Sequence, residues 1–127
     1  MFPDKCKPGV TGIEMYGIIK NSLVTLNKHT FIEGFPDVGN MRMFESTGMG
    51  TCLLTDSKDN ISDLFNPDDE VVTYSSDEEC IEKLNYLINN PKIANEIGYR
   101  GQKRTEKVHS LESRCKIIDH HLRNLFN

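Results

Sequence analysis

Apolar positions recur along this chain in two rhythms, one helical and one of short unbroken runs. Ile13 to Asn21 reads as a helix, with Ile13, then Tyr16 and Gly17, then Lys20 marking successive faces. Leu23-Val24-Thr25-Leu26-Asn27 is short, branched and apolar, which predicts a buried strand. His29, Gly34, Pro36 and Asp37 break the pattern and make Lys28 to Val38 a loop. Asn40 then caps a helix over about Met41 to Thr47 that ends in glycine. Thr51 to Thr55 is a second strand, Asn60 caps a short helix through Leu64, and Glu70 to Tyr74 is a third strand.

The remainder is helical. Ser76 and Glu79 stand at capping-box spacing at the head of a helix to Asn89, whose apolar face is Cys80, Leu84, Leu87 and Ile88. Asn90-Pro91 opens a further helix with Ile93, Ala94 and Ile97 inward. Along the last helix, within 110–127, Leu111, Cys115, Ile118, Leu122 and Leu125 form a stripe at helical spacing. The expectation is that this stripe packs into the core rather than against a partner.

Three short apolar strands separated by helices predict an α/β fold, a short parallel sheet with crossover helices, in a single domain over 1–127 after an irregular lead-in of about 1–12. Ligands of such sheets collect at the carboxyl ends of the strands. Those ends are Asn27 to His29, Thr55 to Asp56, and Tyr74 to Ser75. The Gly39–Glu45 segment follows the first, so chain order alone draws Asn27, His29, Asn40, Arg42 and Glu45 toward one edge.

That edge has the ingredients of an anion site. Gly39 allows a tight turn and close approach of a ligand. Free N–H groups at Asn40, Met41 and Arg42 face out of a helix N-terminus, which suits phosphate oxygens, and Arg42 adds a planar charged fork. Glu45, one turn along, is placed to accept two hydrogen bonds from a ribose diol. The same two residues also read as an ordinary surface ion pair worth under ~1 kcal/mol. Gly48 and Gly50 read as close-packing residues that turn the chain into the second strand. His29 reads either as a polar loop histidine or as an acid, base or phosphate donor at a strand end. His120 and His121 face different directions on one helix and make a poor metal pair. The chain has no legible nucleophile arrangement, G-x-G-x-x-G or P-loop.

Composition narrows the class. With 37% apolar and 27% charged residues the chain reads as globular rather than disordered. No apolar run approaches the ~20 residues of a membrane span, and Met1 to Lys5 does not open a signal peptide. Cys6, Cys52, Cys80 and Cys115 lack metal-ligand spacing and are expected as buried free thiols of a reducing, cytoplasmic setting. A net charge of −4 argues against a nucleic-acid partner. Ten acids against two bases from Asp56 to Asn90, then eight bases against four acids from Pro91 to Asn127, read as two solvated helix faces.

The run from Ser22 to His29, followed by Gly39-Asn40-Met41-Arg42-Met43-Phe44-Glu45-Ser46-Thr47-Gly48-Met49-Gly50-Thr51-Cys52-Leu53-Leu54-Thr55-Asp56, resembles the C-terminal domain of GT-B-fold glycosyltransferases. Within them it is most similar to the group 1-like transferases that include the CgeB-type spore-maturation proteins. The likeness continues through Leu64 to Val72, Glu79 to Asn90, Gly101 to Arg104 and His109 to Arg114. It implies a Rossmann-like three-layer domain that forms the C-terminal half of a GT-B fold and binds a nucleotide-diphosphate sugar as donor, without a further cofactor. By this resemblance Glu45 matches the glutamate that holds the donor ribose, and Gly39 to Arg42, with Asn40 and Met41, match the loop near the diphosphate and sugar. Gly48 matches the small residue after the helix, and His29 and Asn27 fall near the donor cleft. Many relatives set two glutamates closer together than Glu33 and Glu45 stand here, so the first glutamate's role is not carried over to Glu33. A GT-B enzyme also needs an N-terminal acceptor domain, in the same or a partner chain. The expected function is therefore donor binding without turnover by this chain alone. A nucleotide-sugar epimerase part and a flavodoxin-like interaction module are the alternatives.

Overall fold

Three parallel strands form one sheet in the order β1 (Val24–Asn27), β2 (Cys52–Asp56), β3 (Val72–Tyr74), in a computed structural model that describes residues 8–30 and 39–126. Glu33, Cys6 and most of the Lys28–Val38 loop lie outside the described residues. Leu26 pairs with Leu54, which pairs with Val72, so the strands end nearly level and Asn27, Asp56 and Tyr74 share the carboxyl edge.

The middle strand explains the layers. Cys52, Leu53, Leu54 and Thr55 are all buried, as expected where a parallel strand is covered on both faces. Cys52 and Leu54 face a cluster with Val72, Tyr74, Leu87, Ala94 and Ile97. Leu53 faces the opposite cluster with Met43, Ile61, Phe65 and Val71. Helices α2 (Met41–Gly48) and α3 (Ile61–Leu64) therefore cover one face, and α4 (Asp77–Asn89) and α5 (Pro91–Arg104) cover the other. Helix α1 (Gly12–Lys20) precedes β1, and α6 (Leu111–Phe126) ends the chain. This is a Rossmann-like α/β arrangement of three layers.

Helix α5 also closes the amino ends of the strands. A Cβ at Gly98 would run into the carbonyl oxygen of Gly50 and a Cβ at Gly101 into that of Glu70, so only glycine admits this approach. Gly50, at φ +76°, turns the chain from α2 into β2, and Gln102 of α5 donates to the Gly48 carbonyl at 3.0 Å across that turn.

Several expectations change. The stripe on α6 does not enter the core: no α6 residue is buried, and Leu111, Ile118, Leu122 and Leu125 are exposed, Leu125 to 77%. Ile88 of α4 is also exposed, whereas Leu87 is buried. Of the cysteines, Cys52 is buried, Cys80 half-buried and Cys115 exposed on α6. At the head of α4, Ser76 accepts from the Glu79 amide, but Glu79 returns its bond to the Ser75 amide, one residue earlier than a capping box requires. Between α5 and α6 a π-helical turn, Thr105–His109, interrupts what the pattern left blank.

Candidate functional site at the carboxyl edge

The N-terminus of α2 opens toward the carboxyl ends of the strands because Asn40 is tied there on both sides. Its side-chain oxygen caps the helix by accepting from the Met43 amide at 3.4 Å. Its amide nitrogen donates to Asn27 Oδ1 at 3.0 Å, and Asn27 Nδ2 in turn donates to Thr55 Oγ1 at 3.0 Å. Thr55 donates to Asp56 Oδ1 at 3.4 Å. Tyr74 Oη, from β3, donates to the Asn27 carbonyl at 2.9 Å. A line of polar contacts thus runs from the helix cap across the ends of β1 and β2, with β3 bracing it.

His29 closes this line. Its backbone N–H donates to Asp56 Oδ1 at 2.9 Å and its Nδ1 lies 2.7 Å from the same oxygen. A carboxylate oxygen accepts, so Nδ1 carries a proton. The His29 side chain is only 7% exposed, and its Nε2 is buried without a hydrogen-bond partner. Lys58 Nζ lies 3.5 Å from Asp56 Oδ2. Burial works against the Asp56 charge, but the bonds donated by the His29 side chain and backbone, with the nearby Lys58 charge, outweigh it and hold the carboxyl below its ordinary value. His29 is therefore a buried, oriented imidazole rather than a solvated loop histidine.

The remaining candidates divide. Arg42 and Glu45 form an ion pair at 3.3 Å, and Arg42 also reaches Met15 Sδ of α1 at 3.7 Å. Glu45 keeps only 14% of its side chain exposed, whereas Met41 and Gly39 are open to solvent. Glu45 borders a groove of about 350 Å³ between α1 and α2, lined by Tyr16, Met41, Phe44, Gly48 and Met49. Gly48 therefore reaches the groove but not the strand ends, because it lies at the far end of α2 from Asn40. Asp56, Thr55, Lys58 and Tyr74 complete the edge without having been singled out as site residues. The signal for Asp56 was present, since it is the polar residue on which the second apolar run stops. Among the described residues no group of three or more His, Cys, Asp or Glu side chains is placed to hold a metal ion, and no helix is long and apolar enough to cross a membrane.

Comparison with curated proteins and with solved structures gives no match. The profile of one family, described as glycosyl transferase-like, matches residues 3–119 and so takes in every strand, the capped helix α2 and the polar edge. A match of that extent, on a parallel sheet with its polar residues gathered at the carboxyl ends, makes this chain a member of the glycosyl transferase-like family.

Proposed function

We propose that this chain is the donor-binding domain of a glycosyltransferase of GT-B architecture, close to the CgeB-type group, that uses a nucleotide-diphosphate sugar. The observation that carries the reading is the α2 N-terminus, capped by Asn40 and tied through Asn27 to the strand ends, with Glu45 one turn further on. The amides of Asn40, Met41 and Arg42 receive the diphosphate, where a helix N-terminus favours negative charge. Glu45 accepts from the ribose hydroxyls, and Tyr16, Met41 and Phe44 give the neighbouring groove the apolar wall that a nucleobase needs. In the complete enzyme these amides and Arg42 stabilise the departing diphosphate. The acceptor comes from a second domain, of the same or a partner chain, and the uncovered apolar residues of α6 are available to meet it.

The test is an amide NMR titration of the whole chain with UDP, GDP and their sugars. Shifts concentrated at Gly39–Glu45 are the expected result. No change there at millimolar nucleotide overturns the reading.

The same α6 surface favours one other reading, a flavodoxin-like interaction module that binds a partner and no nucleotide. A defined complex formed through α6, together with silence in the nucleotide titration, would replace the first reading with this one.

A further inference from the structure

Nε2 of His29 is a buried side-chain atom at the carboxyl edge for which the described residues supply no partner. Leaving a buried polar nitrogen unpaired is unfavourable, so its presence beside a ligand edge points to a partner that arrives with the ligand. The other ring nitrogen is fixed by Asp56, which leaves Nε2 as the ring's free base. In the neutral ring Nε2 holds a lone pair and repels a phosphate oxygen; once protonated, it donates to one.

Position selects between these states. The contacts Asn40–Asn27–Thr55–Asp56–His29 join the ring to the N-terminus of α2, the positive end of a helix. Among the described residues, the groups facing the dyad are Asp56 itself, Lys58 at its outer oxygen, and Tyr74 from β3. A carboxylate behind the ring favours the imidazolium, and an anion in front of it completes a charge-assisted pair in a place shielded from water.

We infer that His29, held by Asp56, takes up one proton when the donor binds and donates from Nε2 to a diphosphate oxygen, which makes His29 a diphosphate-binding residue and Asp56 its positioning residue. This rests on the donor-domain reading above. The proton comes from buffer, and no covalent bond is made or broken. Because Nε2 is closed to solvent in the free chain, the oxygen reaches it through local opening at the strand ends.

Calorimetry of the whole chain with UDP, GDP and inorganic pyrophosphate, in two buffers of different ionisation enthalpy, reads the proton directly. The expected result is proton uptake on binding the diphosphates and none for uridine or guanosine. In His29→Gln that uptake should vanish. In Asp56→Asn uptake should shrink while pyrophosphate still binds. Ring ¹⁵N shifts of His29 in the wild-type chain give a readout independent of the folding of either variant, and they should move to imidazolium values on adding UDP or GDP. Binding of these diphosphates without uptake, or with uptake unchanged in His29→Gln, overturns the role of His29 and leaves the donor site standing. Failure of UDP, GDP and pyrophosphate alike to bind the wild-type chain overturns both.

Discussion

The imidazole of His109 donates from Nε2 to the carbonyl oxygen of Leu64 at 2.8 Å, across 45 residues of sequence, and accepts at Nδ1 from Arg114 at 2.9 Å. Its ring sits 5.0 Å from the Phe65 ring and 5.1 Å from that of Phe44. This one side chain fastens the π-helical turn to α2 and α3 and holds the first turn of α6. Burial pushes its pKa below the ordinary histidine value; the bond to Leu64 opposes the shift, and the Arg114 and Arg104 charges reinforce it. A lowered folded value means the neutral ring belongs to the fold. Its contribution to stability is therefore complete above the unfolded value of about 6.5 and is lost as pH falls from there through the lower folded value. Melting temperature measured from pH 8 to pH 5 should drop in that window. His109→Gln should start from a lower plateau and lose this part of the pH dependence.

Gly98→Ala and Gly101→Ala should each destabilise the chain by about 2 kcal/mol or more, because the added methyl meets backbone carbonyls that cannot step aside. Gly48→Ala should be tolerated, since the nearest atom to its new methyl is Thr105 Cγ2 at 3.7 Å. Denaturant midpoints for the three variants decide the matter. Equal midpoints would mean that α5 does not press on the strand ends.

Ser46 is fully buried on α2, and its hydroxyl has no hydrogen-bond partner. Ser46→Ala removes an unsatisfied group and adds helix propensity, so it should raise stability by roughly 1 kcal/mol. Urea unfolding with an unchanged slope and a higher midpoint is the expected result.

Thiol reactivity should follow burial. Cys115 is exposed on α6, whereas burial pushes the Cys52 thiol up to about 12 and also raises that of Cys80. In a Cys6→Ser background, iodoacetamide should label Cys115 first, Cys80 slowly, and Cys52 only as the chain unfolds. Peptide mass spectrometry over time gives the order.

Glu45→Ala should weaken binding of UDP or GDP about tenfold, a change of ~1.4 kcal/mol. The 2′,3′-dideoxy analogues, which lack the diol, should bind wild type and variant alike. Arg42→Ala should act on diphosphates more than on nucleosides. If it lowers neither, Arg42 serves only its ion pair with Glu45 at 3.3 Å.

What was readable in the sequence was local. Strand ends, the Asn40 cap and the Ser76 cap follow from residues a few positions apart, and the structure has all of them within a residue or two. The His29–Asp56 contact joins residues 27 apart, so no spacing rule reaches it, and a polar loop neighbourhood concealed a buried ring. The α6 stripe failed differently: periodicity tells which positions share a face but not whether anything lies opposite. Gly98 and Gly101 stand one turn apart on α5, and the sequence pattern alone attaches no role to that pair. Their meaning needed the sheet edge beneath them.

The two ends of the sheet should therefore respond differently to substitution. At the amino end, α5 rests directly on main chain, and the positions there tolerate no added atom. At the carboxyl end, Arg42 and Glu45 touch only side chains, each other at 3.3 Å and, for Arg42, Met15, and on the donor-domain reading they meet the ligand. A library scored for folded protein should be depleted at Gly98 and Gly101 more strongly than at Arg42 and Glu45. On that reading the same library scored for nucleotide capture should be depleted at all four, so comparing the two screens separates the residues that hold the domain together from those proposed to bind nucleotide.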